Sequence, residues 1–320
     1  MNYDLQHAAL SKRCLITYDE FTGEGDYSLA GLRQLHPQLA CLKPLAYTAG
    51  EQRREALQRV GKLSLQGIQL KLGAYLNLER GTFELVDQGG DYILKIVHYD
   101  FDQLPENEDL TMKLASLVGI EVPTHGLIRG RDETLSYFIK RFDRVEKAKR
   151  PVEDFSQLSG ASRETKYDSS MEKVVSVVQQ YCTFPEVECS KLFERTLFNF
   201  LIGNEDMHLK NFSLLTVDNC VALSPAYDLI NTTIVLDLAT EEIALPIAGK
   251  KSRLTKKDLF DYLGSERMQL SQKALNEIEK RFLNALPLWR EIIDKSFLTE
   301  KNKKVYALLL KERTTRLKLA

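Results

Sequence analysis

Paired cysteines are missing from this chain. The five thiols, Cys14, Cys41, Cys182, Cys189 and Cys220, are odd in number, scattered in spacing and never in a CxxC pair. That pattern argues against a zinc site or a disulfide framework and suits a reducing compartment. No run approaches 18 consecutive apolar residues, so nothing reads as a membrane span. The first twenty residues are polar and mixed in charge and do not read as a secretory signal. Neither sign of charge is in excess: 44 Lys and Arg stand against 45 Asp and Glu, a net charge of −1. No overall field would then draw the chain to nucleic acid or an anionic membrane, and direct nucleic-acid binding is not expected. The short basic run Lys147-Ala148-Lys149-Arg150 reads as a solvated loop. Internal repeats and low-complexity tracts are also lacking. The expectation is a cytoplasmic protein with no membrane partner.

What is present is ordinary globular material, 43% hydrophobic and 28% charged over 320 residues, enough for one large or two medium domains with a real core. The first half carries short β-like runs, at 63–78, 83–86, 92–97, 125–128 and 135–142, separated by turn signals such as Gln88-Gly89-Gly90. One helix-like segment, 106–118, interrupts them, and Gly119 would end it. Beyond about Arg144 the pattern turns helical, with segments at 171–181, 191–202, 255–263, 271–283, 286–296 and 299–317, and a strand-like piece at 242–249. The polar stretch 144–165 reads as a boundary or mobile loop. The expected architecture is α+β and two-lobed like a protein kinase, with a β-rich lobe over 1–144 and a mostly helical lobe over 145–320. A nucleotide would lie in the cleft.

The most informative stretch is Gly203-Asn204-Glu205-Asp206-Met207-His208-Leu209-Lys210-Asn211-Phe212-Ser213, followed after two short apolar runs by Ser224-Pro225-Ala226-Tyr227-Asp228. The pair Asp218-Asn219 between those runs is a hairpin signal. An aspartate, an asparagine five residues on, and a second aspartate after a hairpin is the order in which kinase-type sites supply a base and two metal ligands. Phosphoryl transfer is largely positioning and charge neutralisation. Hard oxygens must therefore hold Mg²⁺ on the phosphates of ATP while another carboxylate faces the attacking hydroxyl. Asp206 is the expected base, and Asn211 and Asp228 the expected metal ligands. His208 could order the loop or join a metal, and Lys210 could reach phosphates or solvent.

A phosphate lysine is also required. Lys95, set inside the apolar run Tyr92–Val97, fits it, because an ammonium placed there calls for an anion. Glu108 on the following helix is its expected partner, with Glu106 and Asp109 competing. The segment Ser64–Gly73, with Gly67, Gln69 and Lys71, sits where a phosphate-covering loop belongs, although it matches neither GxGxxG nor a Walker motif.

Taken together these motifs resemble the HipA family of bacterial toxin–antitoxin serine/threonine kinases. The resemblance runs from about Gly61 to the C-terminus. It rests on Ser64–Lys71 as Ser-x-x-Gly-x-Gln-x-Lys, on Tyr92–Ile96, Glu106-Asn107-Glu108, Gly119–Pro123, Arg141-Phe142-Asp143-Arg144, the segment 157–167 ending in Lys166-Tyr167, and the 203–213 and 225–228 loops. It implies ATP and Mg²⁺, transfer to a serine or threonine of a protein, and growth arrest. It assigns Lys95 to phosphates, Asp206 to catalysis, Asn211 and Asp228 to metal, and Ile139, Lys140 and Arg141 to the adenine side. Ser64 falls on the family's autophosphorylated serine, where about two added negative charges would repel ATP phosphates.

Only 63 residues precede Ser64, whereas standard HipA chains carry a further N-terminal subdomain. The short start is more similar to HipT of three-component HipBST systems, whose antitoxin HipS is a separate small protein. The partners so implied are a HipS-like antitoxin, a HipB-like DNA-binding protein and an aminoacyl-tRNA synthetase substrate, tryptophanyl-tRNA synthetase above all. Two other readings compete. A small-molecule phosphotransferase of the aminoglycoside or choline kinase type shares the Asp-x4-Asn spacing, but places its histidine before the acid. A non-catalytic nucleotide-binding scaffold for an antitoxin would not need the four polar positions that are all present here.

Overall fold

The computed structural model describes residues 12–59, 69–98, 100–145, 148–162, 164–235 and 241–319. Ser64 and Gly67 lie outside them. In chain order the elements are β1 (Lys12–Arg13), β2 (Glu20–Phe21), α1 (Leu29–Leu35), α2 (Ala49–Arg59), β3 (Lys71–Asn77), β4 (Thr82–Val86), β5 (Tyr92–Lys95), α3 (Leu104–Leu117), β6 (His125–Arg129) and β7 (Leu135–Lys140). Then follow β8 (Arg144–Val145), β9 (Ala148–Lys149), β10 (Val152–Asp154), α4 (Phe155–Leu158), α5 (Met171–Tyr181), α6 (Pro185–Ile202), β11 (Ser213–Val217), β12 (Cys220–Leu223), α7 (Gln272–Lys295) and α8 (Glu300–Arg316).

The chain divides into two compact units, 1–98 with 124–140, and 99–123 with 141–320. The expected division at 144 is thus modified: the segment carrying α3 belongs to the second unit. There the Trp289 indole N–H on α7 donates to the Leu114 carbonyl at 2.9 Å, and Trp289 packs edge-on against Phe198 and Phe282.

The first unit is built on an antiparallel five-stranded sheet in the order β4-β3-β5-β7-β6. The glycine-containing turns expected between the β-like runs are where the chain reverses. At Gly81, φ is +62° and an added Cβ would come within 2.5 Å of the Cys41 carbonyl, so glycine is required there. The second unit is helical around α6, whose residues from Leu192 to Ile202 are all buried, and it carries a three-stranded antiparallel sheet β10-β11-β12.

Four expectations need correction. The 144–165 stretch is not a plain linker but contributes β8, β9, β10 and α4, with Asp154 capping α4 through a capping box to Gln157. Residues 242–249 form no strand; they make one isolated bridge, Ile247 to Lys250. The 255–263 segment is a π-helix over Lys257–Arg267. The two helices expected at 271–283 and 286–296 are one, α7, which runs through Pro287. Its stripe of Leu275, Ile278, Phe282, Ala285, Leu286, Trp289 and Ile293 is buried on both sides of that proline, and continuous burial outweighs the lost N–H.

Candidate active site

In the second unit, α6 ends at Gly203, whose φ of +73° makes the left-handed turn out of the helix. A Cβ there would lie 2.4 Å from Leu309 Cδ2 and 2.8 Å from Thr233 Oγ1, so the chain can leave the helix here only as glycine. The loop that follows is held from both sides. The buried Asn204 donates Nδ2 to Asn199 Oδ1 at 2.9 Å and accepts the Asp206 N–H at 3.1 Å. The Glu205 N–H donates to Thr232 Oγ1 at 3.0 Å.

Asn211 donates Nδ2 to the Asp206 carbonyl at 2.9 Å, and the His208 N–H donates to the same carbonyl at 2.8 Å. Two of the residues expected to act together are therefore joined directly. The bond uses the Asn211 amide nitrogen and leaves its Oδ1, a hard oxygen, for other work.

The expected hairpin is present, and its turn residues Asp218 and Asn219 both have positive φ, 49° and 61°. That is the two-residue turn the pair predicts. The chain then returns so that the Ser224 N–H donates to the Ser213 carbonyl at 2.9 Å and the Ala226 N–H to Glu121 O at 2.8 Å. The Tyr227 hydroxyl meets Ser213 Oγ and donates to the Lys210 carbonyl at 3.0 Å, which ties the Asp228 segment to the Asn211 turn. Behind it the buried Arg195 donates Nη2 to Ser224 O at 2.7 Å, and burial pulls its pKa down to about 10. Asp228 itself is half-buried with φ of +54°, a conformation that non-glycine residues rarely keep unless their surroundings impose it.

Asp206 is exposed, and its Oδ1 accepts the Tyr167 hydroxyl. The Tyr167 pKa is pushed up, by burial and then by the hydrogen bond and charge of Asp206, so this phenol stays a donor. His208 is buried; its Nε2 lies 2.7 Å from Lys166 Nζ, and its Nδ1 has no hydrogen-bond partner among the described residues. Burial lowers its pKa and the Lys166 charge adds to this, against the opposing pull of Asp206 and Asp228. His208 thus feels the charges of Lys166, Asp206 and Asp228. Lys210 does not face open solvent: it pairs with Asp154 at 2.7 Å.

Lys166 and Tyr167 were legible only as part of a family motif; no spacing rule assigns them to Asp206 and His208. Asn107 is a second contribution that spacing does not reveal. Its Nδ2 donates to the Asn231 carbonyl at 2.8 Å and its Oδ1 accepts the Asn231 N–H at 3.0 Å. This two-way clasp fixes α3, which carries the buried Glu108 and Asp109 and the half-buried Glu106, to the chain just after Asp228.

In the first unit, Lys95 is buried, with its ammonium 5.6 Å from the centre of the Tyr137 ring. Register places Lys71 directly opposite Lys95 and Lys95 opposite Tyr137, so all three share one face of the sheet. Gln69 donates Nε2 to the Ile96 carbonyl at 3.1 Å, a structural contact. Ile139 is buried and Lys140 exposed at the end of β7, while Arg141, in the second unit, makes a two-pronged pair with Asp143 at 2.8 and 2.6 Å.

The donor set can be tested against a metal. Among the described residues no group of three or more His, Cys, Asp or Glu side chains gathers to hold an ion. Asn211 and Asp228 instead offer two hard oxygen ligands, which fits Mg²⁺, an ion that completes its shell with waters and substrate phosphates. Among the same residues no helix is long and apolar enough to cross a membrane.

The sequence model of the HipA-like C-terminal domain matches residues 63–289. A Sinorhizobium fredii protein named "Putative kinase Y4dM" is 34% identical over 235 residues, 68% of this chain and 57% of that protein. The serine/threonine-protein kinase toxin HipA of Shewanella oneidensis is 27% identical over 208 residues, 58% of this chain and 47% of its own. The chain thus spans about half the length of these curated relatives. Among solved structures, the Shewanella oneidensis HipA complex with HipB and operator DNA superposes with a TM-score of 0.65 at 23% identity, covering 86% of this chain and 71% of that one. At that identity the likeness concerns the fold, which is α+β and kinase-like in both.

Proposed function

The chain belongs to the family of the HipA-like C-terminal domain, and from that premise we propose that it is an ATP- and Mg²⁺-dependent serine/threonine protein kinase acting as a growth-arresting toxin. The observation that carries the reading is the catalytic loop itself. Asp206 and Asn211 are bonded to each other, and Tyr227 links Asp228 to the same turn.

In this proposal Mg²⁺-bound ATP supplies the phosphoryl group and neutralises its charge. The protein's own part is to place groups. Asp206 takes the proton of the attacking hydroxyl on its carboxylate. Asn211 Oδ1 and Asp228 would offer the oxygens that hold the metal, with Asp228 kept in a left-handed conformation. Lys95 and Lys71 answer phosphate charge, with Glu108 as the expected partner of Lys95. Lys166 stands beside His208 in the loop, and Lys210 is paired with Asp154. Ile139, Lys140 and Arg141 are assigned to the adenine side.

The substrate we propose is a translation component, an aminoacyl-tRNA synthetase and tryptophanyl-tRNA synthetase first. The proposed partners are a HipS-like antitoxin and a HipB-like DNA-binding protein, with the chain itself of the HipT kind. Self-phosphorylation at Ser64 would switch it off. Intact-mass and peptide mass spectrometry of dephosphorylated protein incubated with Mg²⁺ and ATP tests the core of this. One phosphate on Ser64 in the wild type and none in Asp206→Asn is the expected result. Equal labelling of both would overturn the assignment of Asp206, and turnover of a small alcohol with no protein labelled would favour the small-molecule phosphotransferase.

A further inference from the structure

Residues Glu164 to Asp168 make no helix or strand, yet they are stitched to the catalytic loop. The Leu209 N–H donates to the Lys166 carbonyl at 3.3 Å, Lys166 Nζ lies 2.7 Å from His208 Nε2, and the Tyr167 hydroxyl donates to Asp206 Oδ1. The Tyr167 ring stands edge-on to the His208 ring, centroids 5.0 Å apart at 83°, and the Lys166 ammonium lies 4.9 Å from the Tyr167 ring centre. Two consecutive residues thus grip two loop positions that are themselves two apart. A turn closed by the Asp168 N–H to the Thr165 carbonyl at 2.9 Å supports them from behind.

This matters for Asp206 because, among the described residues, no other hydrogen bond orders its carboxylate. Its backbone is held by Asn204, Asn211 and His208, but its side chain is exposed, and among the described residues it has no other side-chain hydrogen bond. An exposed carboxylate otherwise samples several rotamers, and a general base must present one oxygen to the attacking hydroxyl in one direction. With Oδ1 engaged, Oδ2 is the oxygen left for the acceptor.

We infer that Tyr167 is a positioning residue that fixes the Asp206 carboxylate for proton acceptance, with the ring held in turn by His208 and Lys166. The inference rests on the assignment of Asp206 as base. It differs from two other roles that the same contact allows. Were the hydroxyl a plug in the acceptor's place, its removal would speed transfer; were it an acceptor, it would carry phosphate.

The test is the self-phosphorylation rate of dephosphorylated full-length protein as a function of ATP at saturating Mg²⁺, for wild type, Tyr167→Phe, Asp206→Asn and the double variant. Tyr167→Phe keeps the ring against His208 and removes only the donor. The expected result is a maximal rate lower by about tenfold to a hundredfold, with the half-saturating ATP concentration within about twofold of wild type, as follows when an interaction acts on the transfer step and not on nucleotide binding. The double variant should be no slower than Asp206→Asn alone, since Tyr167 acts through that carboxylate. A Tyr167→Phe rate equal to or above wild type, with Asp206→Asn inactive, overturns the positioning role and leaves the kinase reading standing. Phosphate found on Tyr167 overturns it in the same way. An Asp206→Asn rate equal to wild type overturns both.

Discussion

Asp228 is the residue at which the proposed chemistry and a left-handed backbone conformation coincide. If its left-handed conformation serves to aim a metal ligand, Asp228→Asn should retain the fold and lose transfer by on the order of 10²–10³-fold, the usual scale for removing one charge-stabilising group. Circular dichroism and the self-phosphorylation rate, measured on the same preparation, check this; loss of fold instead would make the strained residue structural. Glu205, next to Asp206 in the loop, carries a second consequence. Burial and the nearby Glu241 and Glu242 push its carboxyl up to about 7 against the opposing pull of Arg313, and its Oε1 is buried without a hydrogen-bond partner among the described residues. An acid raised above its ordinary 4.5 is held protonated by the fold. It costs nothing at low pH, and destabilises progressively as pH rises from about 4.5 to about 7. Glu205→Gln should therefore gain stability over wild type at pH 8 and little at pH 5, read from denaturation midpoints at both values. A gain independent of pH would remove Glu205 as the titrating group. Glu106, which burial also raises to about 7, would add its own slope to both proteins and cancel in the comparison.

Trp289 joins three elements of the second unit. Trp289 on α7 links to α3 through the Leu114 carbonyl and to α6 through Phe198. Trp289→Ala should cost about 3–5 kcal/mol, measured by urea denaturation. A cost under about 1 kcal/mol would mean that α3 is not anchored through this side chain. The turn at Gly203 is the other point of leverage. Gly203→Ala combines an unfavourable φ with contacts inside 3 Å to Leu309 and Thr233. It should displace the loop that begins there and abolish transfer, even where α6 itself is retained. Both cases show how far periodicity carries. The helices α5, α6 and α8 were readable from spacing, with α6 starting earlier than expected at Pro185. The continuity of α7 was not, because a proline at 287 is a local stop signal that only the buried stripe on its two sides overrides. The 242–249 piece was misread for the opposite reason. Its apolar residues Ile243, Ala244, Leu245 and Ile247 are buried, but no partner strand lies alongside to make them a ladder.

For the molecule as a whole, a net charge of −1 argues that contact with DNA, if the proposed assembly exists, comes from a basic partner. The isolated chain should bind duplex DNA more weakly than the ~10⁻⁴–10⁻⁶ M of ordinary non-specific binders, with little response between 50 and 200 mM salt; fluorescence anisotropy would show it. A steep salt slope would instead reveal a concentrated basic face. The sequence by itself determined the fold class and the hairpin between Asn211 and Asp228, whose turn pair is a local signal; its grouping of Asp206, Asn211 and Asp228 is a proposal from the order that kinase-type chemistry calls for. It also determined that Lys95 lies within a strand. Tertiary structure alone decided which groups meet: Lys71 opposite Lys95 through register, Asn107 clasped to Asn231 across 124 residues, Lys210 drawn to Asp154, and Tyr167 brought onto Asp206. The physical reason is that hydrogen bonds between distant residues leave no periodicity behind. Whether a lysine or tyrosine finds a carboxylate depends on backbone paths that only the packed units set.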